Sequence, residues 1–438
     1  MKKKAVIVGG GLAGVEAAYQ LVSRGLAVEL YEMRPELMTE AHTTGQLAEM
    51  VCSNSLGASD ITSASGLLKQ ELRTLDSFFL KMADRFRVPA GNSLSVDRLR
   101  LAEGITREVA SWPDLSLVRR EVREIPASDG PVIIASGPLT SPSLSLSISG
   151  LTARKNLFFF DATSPLIATD SIDFSRMFAG SRYNKGEADF YNIPLDQDQY
   201  DRFVREIVQA EKAEIKDFEK NIFFEACQPI EEIAARGEKS LSYGPLKPVG
   251  LVDPRTNRMP HAVVQLRVDD LNRTFYQLVG FQTRLKWGEQ RRIFRSLPGL
   301  EKAEFERYGR MHRNTYINSP LIINSLFQSK TNPRIYFSGQ LSGIEGYVES
   351  VAAGLLAGLF AGQQILGRSS LPPPLTSAVG SLAHYIANAS WKDFRPTKFS
   401  FGLIPDSGID NRRKEKKKEL KAERALEDLR QWKKRETT

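Results

Sequence analysis

The two cysteines of this chain are its clearest candidate nucleophiles. Cys52 and Cys227 are the only cysteines among 438 residues, and polar residues follow both of them, 53–55 after the first and Gln228 after the second. Polar flanks of this kind are typical of a loop beside a site. A thiolate can add to an electron-poor carbon when nearby positive charge lowers the pKa of the thiol. The alternative is that both cysteines are small buried core residues.

A glycine-rich turn near the N-terminus predicts a dinucleotide-binding site. The turn consists of Gly9, Gly10, Gly11, Leu12, Ala13 and Gly14. In this G-x-G-x-x-G pattern the first glycine permits a tight turn, the second lets the backbone approach a pyrophosphate, and the third lets helix and strand pack closely. The helix N-terminus then faces the phosphates. Glu32 closes the next strand, near the spacing of about 20 residues at which a carboxylate binds the ribose hydroxyls.

Two later turns favour FAD as the dinucleotide. Ser338-Gly339-Gln340 follows a short apolar strand and opens a helix, and it resembles the second flavin-contacting segment of glutathione-reductase-type flavoproteins. Ser136-Gly137 resembles the internal Ala-Thr-Gly segment of the same proteins. We therefore expect Gly339 and Gln340 to contact FAD. Either turn alone could be an ordinary strand-to-helix connection.

The elements that position these residues follow from the apolar periodicity. Strands are expected at 5–8, 27–31, 132–135 and 334–337, with helices at 12–24 and from the late turn to 366. The fold class is therefore α/β, with a glutathione-reductase-type doubly wound FAD-binding domain. We assign residues 1–162 and 320–410 to the FAD-binding domain, 163–319 to an inserted α+β substrate or RNA domain, and 411–438 to a basic helical tail.

The charge of the chain is concentrated in that tail. Residues 411–438 hold twelve Lys or Arg and six Asp or Glu, a net charge of +6, which leaves +2 of the total +8 for the rest. A basic tail favours an acidic partner such as RNA, although a solvated surface helix has the same composition. Two cysteines make a disulfide framework implausible and suit a reducing cytosol, and we predict neither a membrane span nor an export signal.

Several longer strings show that the chain resembles a known family over almost its whole length. The family is that of the folate- and FAD-dependent tRNA (uracil-5-)-methyltransferases, which are related to flavoproteins that modify wobble uridines. The strings that carry the resemblance are residues 9–14, 31–35, 51–56, 88–91, 181–183, 185–189, 262–267, 278–283, 285–290, 312–315, 343–350 and 423–429. Gly57 and Thr43 depart from it, since the family usually has arginine and often histidine there.

The resemblance implies a specific chemistry for the cysteines. Carbon 5 of uracil is a poor nucleophile, and thiolate addition at carbon 6 turns it into an enolate equivalent that can attack a one-carbon electrophile. Methylenetetrahydrofolate would supply the carbon, and FAD reduced by NADH or NADPH would supply electrons. Cys227 is the preferred nucleophile, and Cys52 is an alternative nucleophile or a protecting thiol near the same site. The general base and any cation beside the thiolate remain open at this point.

Two segments are candidate RNA-binding surfaces. One is the basic tail, and the other is 281–295, where cations and aromatic residues alternate so that phosphates could be bound while rings stack on a base. The predicted RNA-binding residues are Arg284, Lys286, Trp287, Arg291 and Arg292. An amphipathic helix that buries its aromatic residues would show the same pattern.

The predicted function is C5-methylation of a T-loop uridine in tRNA by a cytoplasmic enzyme, without a metal, a membrane or an obligatory protein partner. Alternatives are the same reaction on ribosomal RNA and a wobble-uridine modification that requires a partner protein. An RNA-binding flavoprotein without turnover and a small-molecule flavin oxidase are two further alternatives. The sequence contexts of the two cysteines argue against an RNA-binding flavoprotein without turnover, and the basic tail argues against a small-molecule flavin oxidase.

Overall fold

The protein was analysed as a computed structural model that describes residues 4–152, 157–184, 187–213, 228–392, 394–406 and 416–437. The strands within these ranges are β1 Ala5–Val8, β2 Val28–Glu32, β3 Ser55–Ala58, β4 Arg87–Val88, β5 Ser93–Val96, β6 Leu115–Arg119, β7 Val132–Ile134, β8 Leu157–Ala162, β9 Leu166–Ala168, β10 Phe178–Ala179, β11 Phe190–Leu195, β12 Ala262–Val268, β13 Phe275–Leu278, β14 Phe305–Arg307, β15 Met311–Tyr316 and β16 Ile335–Phe337. The helices are α1 Leu12–Val22, α2 Ala64–Thr74, α3 Phe78–Arg85, α4 Arg98–Ala110, α5 Pro142–Thr152, α6 Gln197–Gln209, α7 Ile230–Ala234, α8 Ser240–Tyr243, α9 Trp287–Phe294, α10 Ser319–Ile322, α11 Tyr347–Ile365, α12 Ala378–Asn388 and α13 Lys417–Thr437.

Strands from both ends of the chain form one parallel sheet. Its order is β16-β7-β1-β2-β6, and every registered pair in it is parallel. The four residues of β1 are all buried, as expected for a strand that is covered on both faces of a parallel sheet. The four strands expected around the glycine turn and the two later turns are present within a residue of their expected bounds, which confirms the doubly wound fold.

Helices α1 and α11 pack against each other with their backbones in close contact. A β-carbon at Gly354 would lie 2.2 Å from the carbonyl oxygen of Ala13, and one at Gly358 would lie 2.6 Å from that of Ala17. Only glycine permits this approach. Helix α11 is long and apolar enough to cross a membrane, but 83% of its most apolar window is buried inside the protein. It is therefore a core helix, and it holds the N-terminus of α1 in place.

The middle of the chain forms a second, antiparallel sheet with a core of its own. The order is β10-β11-β12-β13-β9-β14, and a separate apolar cluster with residues from α6, α7 and α9 covers it. All of its strands lie between β7 and β16 in the sequence. This placement supports the proposal that residues 163–319 are an inserted domain.

The C-terminal basic segment includes a helix that packs on the body. Leu429 and Trp432 of α13 are buried, and the indole Nε1 of Trp432 donates to the carbonyl oxygen of Leu371 at 3.0 Å. Lys433 donates to the carbonyl oxygen of Thr74 at 2.8 Å. One face of the tail helix is therefore part of the core, and only the opposite face can contact a partner.

Candidate functional site

The turn between β1 and α1 has the geometry of a pyrophosphate-binding loop. Gly9 has a φ of +107°, which favours glycine, and a β-carbon at Gly14 would lie 1.8 Å from the carbonyl oxygen of Gly9. A β-carbon at Gly11, in contrast, would meet nothing within 4 Å. Gly11 caps α1 without an acidic residue in the first helical turn. The open space and the positive helix end both suit an anion.

Glu32 lies beneath this turn and is held by hydrogen bonds on both oxygens. Its Oε2 accepts from the backbone N–H of Gly10 at 2.9 Å, and its Oε1 accepts from the backbone N–H and the Nε of Arg34 at 3.0 and 2.9 Å. Burial opposes the charge, but Arg34 and these hydrogen bonds hold the pKa of Glu32 below its ordinary value. Because a carboxylate has about four acceptor positions, Glu32 can still accept from ribose hydroxyls.

The late turn closes on the same helix. Gly339 opens a short 3-10 helix, Gly339–Ser342, and a β-carbon on Gly339 would lie 2.9 Å from that of Ala13. Gln340 donates from Nε2 to Glu345. The 3-10 turn precedes α11, so the long helix expected directly after Gln340 begins only at Tyr347.

One cavity of about 450 Å³ joins these parts. Its walls include Gly9, Gly11, Leu12, Ala13, Glu32, Ser136, Gly137, Gly339, Gln340 and Cys52. Gly10 and Gly14 do not line the cavity. The backbone N–H of Gly10 donates to Glu32, and Gly14 packs against the carbonyl oxygen of Gly9. The residues present fit FAD, with the pyrophosphate at the open face of Gly11 and a ribose at Glu32. Cys52 would then share a cavity with the flavin.

Cys52 is paired with Tyr347, the first residue of α11. The thiol sulfur lies 2.9 Å from the phenol oxygen, and the backbone N–H of Cys52 donates to the same oxygen at 2.8 Å. Burial, reinforced by the neighbouring thiol, raises the pKa of Tyr347 well above its ordinary value. The phenol therefore remains protonated and can donate to a thiolate.

Three arginines interact with this pair; Arg98 and Arg267 are buried, and Arg307 is half-buried. Arg98 donates to Asp269 at 2.6 Å, and although burial opposes its charge, Asp269 raises the pKa of Arg98. Burial lowers the pKa of Arg267 and of Arg307 to about 10, so both remain charged at neutral pH. All three arginines interact electrostatically with Cys52. Positive charge beside a cysteine favours its thiolate.

These arginines and Tyr347 were not predicted from the sequence. The arginines come from α4, β12 and β14, and nothing in their local patterns distinguishes them from surface residues. Tyr347 lies within a string that carried the family resemblance, but its contact with Cys52 spans 295 residues. Cys227, the preferred nucleophile, lies outside the described residues. Gln228, the next residue in the sequence, lines a second cavity next to the first.

Most of the predicted RNA-binding cations are paired with carboxylates from other segments. Arg284 binds Glu232, Lys286 lies 2.7 Å from Glu211, and Arg292 lies 2.8 Å from Glu206 and 2.7 Å from Glu289. Arg291 donates to the hydroxyl of Tyr308 at 3.0 Å. The structure thus brings these residues to one region around α9, with much of their charge already compensated.

Trp287 is exposed at the start of α9. The residue is 51% exposed, and its ring stacks on Tyr308 with centroids 5.5 Å apart, while the guanidinium carbon of Arg310 lies 4.9 Å from the ring centroid. Phe294 at the other end of the helix is fully buried. The helix therefore buries one aromatic residue and presents the other, with a cation, to solvent.

Comparisons with known proteins agree with this geometry. A sequence model of the family described as glucose inhibited division protein A matches residues 4–369. A protein of Heliobacterium modesticaldum named methylenetetrahydrofolate--tRNA-(uracil-5-)-methyltransferase TrmFO is 51% identical over 423 residues, which are 97% of this chain and 96% of the relative. A protein of Desulforamulus reducens with the same name is 50% identical over 429 residues, 98% of this chain and 97% of the relative.

A solved structure shows the same fold at much lower identity. The GidA protein of Aquifex aeolicus superposes with a TM-score of 0.68 at 15% identity, covering 98% of this chain and 74% of that protein. At this identity the likeness concerns the fold alone.

Proposed function

The chain belongs to the glucose inhibited division protein A family and, within it, to the methylenetetrahydrofolate--tRNA-(uracil-5-)-methyltransferases, and we propose that it methylates C5 of a T-loop uridine in tRNA. Methylenetetrahydrofolate is the carbon donor, and FAD reduced by NADH or NADPH is the source of electrons. The observation that carries the proposal is the position of Cys52, which lies in one cavity with the glycine turn and Glu32. The names of the relatives supply the substrate.

The chain holds FAD through backbone and carboxylate groups. The open face of Gly11 and the first N–H groups of α1 bind the pyrophosphate, because helix N-termini carry unpaired donors and partial positive charge. Glu32 would accept from a ribose, and Gly339 and Gln340 would contact the flavin end. FAD, when bound and reduced, supplies the electrons that turn a one-carbon unit into a methyl group.

The thiols activate the uracil. Addition of a thiolate to C6 forms an S–C6 bond, moves the C5=C6 electron pair to C4–C5, and places negative charge on O4. C5 can then attack the one-carbon donor and form a C5–CH2 bond, with the carbon still bonded to a folate nitrogen. Loss of the C5 proton and cleavage of the CH2–N bond release tetrahydrofolate and leave a CH2 group doubly bonded to C5. Addition of a hydride equivalent, for which bound reduced FAD would be the source, makes this group methyl, and departure of the thiolate restores the C5=C6 bond. We assign the addition to Cys227. Cys52, with Tyr347 and the arginines beside it, is the alternative nucleophile or protects the site as a second reactive thiol.

The RNA would contact the region of α9 and the exposed face of α13. Trp287 offers an exposed ring on which a base would stack by displacing the Arg310 guanidinium that lies over it. The paired cations around α9 bind phosphates only by exchanging their carboxylate partners. Because tRNA is the substrate in this proposal, the enzyme acts in the cytoplasm, and we propose no obligatory protein partner.

The proposal is tested by mapping 5-methyluridine after incubation with methylenetetrahydrofolate and NADPH. Unmodified tRNA and ribosomal RNA are offered separately, and we expect product in tRNA only when FAD, folate and NADPH are all present. A Cys227→Ala variant with full FAD content is the matched inactive control. Product in ribosomal RNA alone would refute the tRNA assignment, and no product in either RNA would refute the reaction.

A further inference from the structure

A second cavity, of about 390 Å³, adjoins the first. The two cavities share Ser53 and Gln282 as wall residues, so they meet directly beside Cys52. The polar walls of the second cavity are Ser53, Ser164, Gln228, Arg267, Gln277 and Gln282. Its volume lies within the range of roughly 300 to 1,000 Å³ that is usual for small-molecule sites.

Two of the glutamines are fixed parts of the wall. Gln277 donates from Nε2 to the carbonyl oxygen of Cys52 at 3.0 Å and accepts from Arg267 at 2.7 Å. Gln228 accepts from Arg236. Both amides are therefore used by the protein, and Gln277 in particular ties Cys52 to this cavity.

Other polar groups of the cavity have no hydrogen-bond partner within the described part of the chain. Arg267 is only 8% exposed, and its Nε is buried without a hydrogen-bond partner. Its Nη2 donates to the hydroxyl of Ser53 at 2.9 Å. The side-chain amide of Gln282 and the hydroxyl of Ser164 also make no hydrogen bond there; only the backbone oxygen of Gln282 is used, by Ile230. Gln282, Ser164 and Arg267 line the cavity, so a ligand there can bond with the amide of Gln282, the hydroxyl of Ser164 and the accessible part of the Arg267 guanidinium.

The geometry points to this cavity as the pocket for the target uracil, with Gln282 and Arg267 as the residues that recognise its Watson–Crick edge. This inference rests on the proposed function and adds the location of the base. Uracil presents an acceptor, a donor and an acceptor at O4, N3–H and O2. The amide of Gln282 supplies one acceptor and one donor, and Arg267 supplies a donor for O4. Enzymes that act on a base commonly take it out of its stack into such a pocket.

Arg267 accounts for a preference for uracil over cytosine. A guanidinium only donates, so it cannot pair with the amino group that cytosine carries at position 4. The amide of Gln282 can turn over and adapt to either base, whereas Arg267 is held by Ser53 and Gln277. The positive charge of Arg267 would also stabilise the negative charge that appears on O4 when the thiolate adds to C6.

Binding of RNA without turnover tests the pocket. The probes are two T-arm stem-loop RNAs that differ only in uridine or cytidine at the target position, and the measurement is Kd for each by fluorescence anisotropy. We expect wild type to prefer the uridine RNA by between about fivefold and 100-fold. Arg267→Gln, whose amide can donate or accept, should bind both RNAs alike, whereas Gln282→Leu should weaken the binding of both RNAs. Gln70→Leu is the matched control, since Gln70 lies on α2 and lines neither cavity.

The outcomes separate the pocket from the proposed reaction. A uridine preference that survives in Arg267→Gln, or that is absent from wild type, overturns the pocket even if wild type makes 5-methyluridine. A preference that is lost in Arg267→Gln supports the pocket even if no product forms, and the reaction would then be wrong. FAD content is compared in every variant, and Arg267→Met, which keeps an unbranched side chain but loses the donors, carries the test if Arg267→Gln does not fold.

Discussion

Replacing Gly11 by valine should remove FAD while leaving the fold intact. A β-carbon at Gly11 meets nothing within 4 Å, so the added side chain occupies cavity space rather than protein. It would stand where the pyrophosphate must approach the N–H groups of Leu12 and Ala13, which have no acceptor inside α1. Two charge-assisted hydrogen bonds at about 1.5–3 kcal/mol each amount to about 3–6 kcal/mol, so Kd should rise at least a hundredfold.

The assay measures FAD occupancy from the flavin absorbance and Kd from quenching of flavin fluorescence on titrating apo-protein. Gly150→Val is the matched control, because a β-carbon there also meets nothing within 4 Å and Gly150 does not line the cavity. Added FAD at 100 times Kd should stabilise wild type and this control by about 2.7 kcal/mol, but not Gly11→Val. Wild-type affinity in Gly11→Val would refute the placement of the pyrophosphate, and failure to fold would contradict the open space.

Three further predictions concern the thiols and the tail. Cys227→Ala should bind FAD and RNA but form neither 5-methyluridine nor an adduct with 5-fluorouridine RNA; an adduct that survives there and disappears in Cys52→Ala would reverse the two roles. In a Cys227→Ala background, Tyr347→Phe should slow the alkylation of Cys52 by iodoacetamide at neutral pH about tenfold. The phenol's hydrogen bond to the charged thiolate contributes about 1.5–3 kcal/mol, and the variant loses it. An unchanged pH profile of alkylation would exclude the phenol as a donor to the thiolate. Changing the exposed Lys418 and Arg435 to glutamine should reduce the salt dependence of RNA binding by at most about 2 in slope, with no loss of thermal stability, and an unchanged slope would make this face of α13 plain surface.

The sequence was sufficient to predict the fold around the glycine turn because that part of the chain is local. Residues 5–32 contain a strand, the glycine turn, a helix and a second strand. Gly14 packs on the carbonyl oxygen of Gly9 five residues earlier, and Gly11 leaves open space beside the turn. Glu32 was identified by spacing alone, and the structure places it under the turn. Its partner Arg34 was not predicted, although it lies two residues away, because the pairing depends on the burial of both side chains.

The surroundings of Cys52 could not be predicted in the same way. Arg98, Arg267 and Arg307 come from segments that are far apart in sequence, and their charge matters only because the fold buries them together. The predicted chemistry needs a cation beside the thiolate, but the sequence did not show which residue provides it. Tyr347 illustrates the same limit, since its string indicated membership of a family but not a contact with the thiol.

The RNA-binding surface shows why counting charges along the sequence is insufficient. The segment 281–295 looks strongly basic because its cations lie close together in sequence. The carboxylates that pair with three of them, those of Glu206, Glu211 and Glu232, come from other segments. A phosphate that replaces one of these partners gains little net electrostatic energy, because an existing ion pair is broken. We therefore expect α9 to contribute base stacking through Trp287, and the exposed face of α13 to contribute most of the salt dependence of RNA binding.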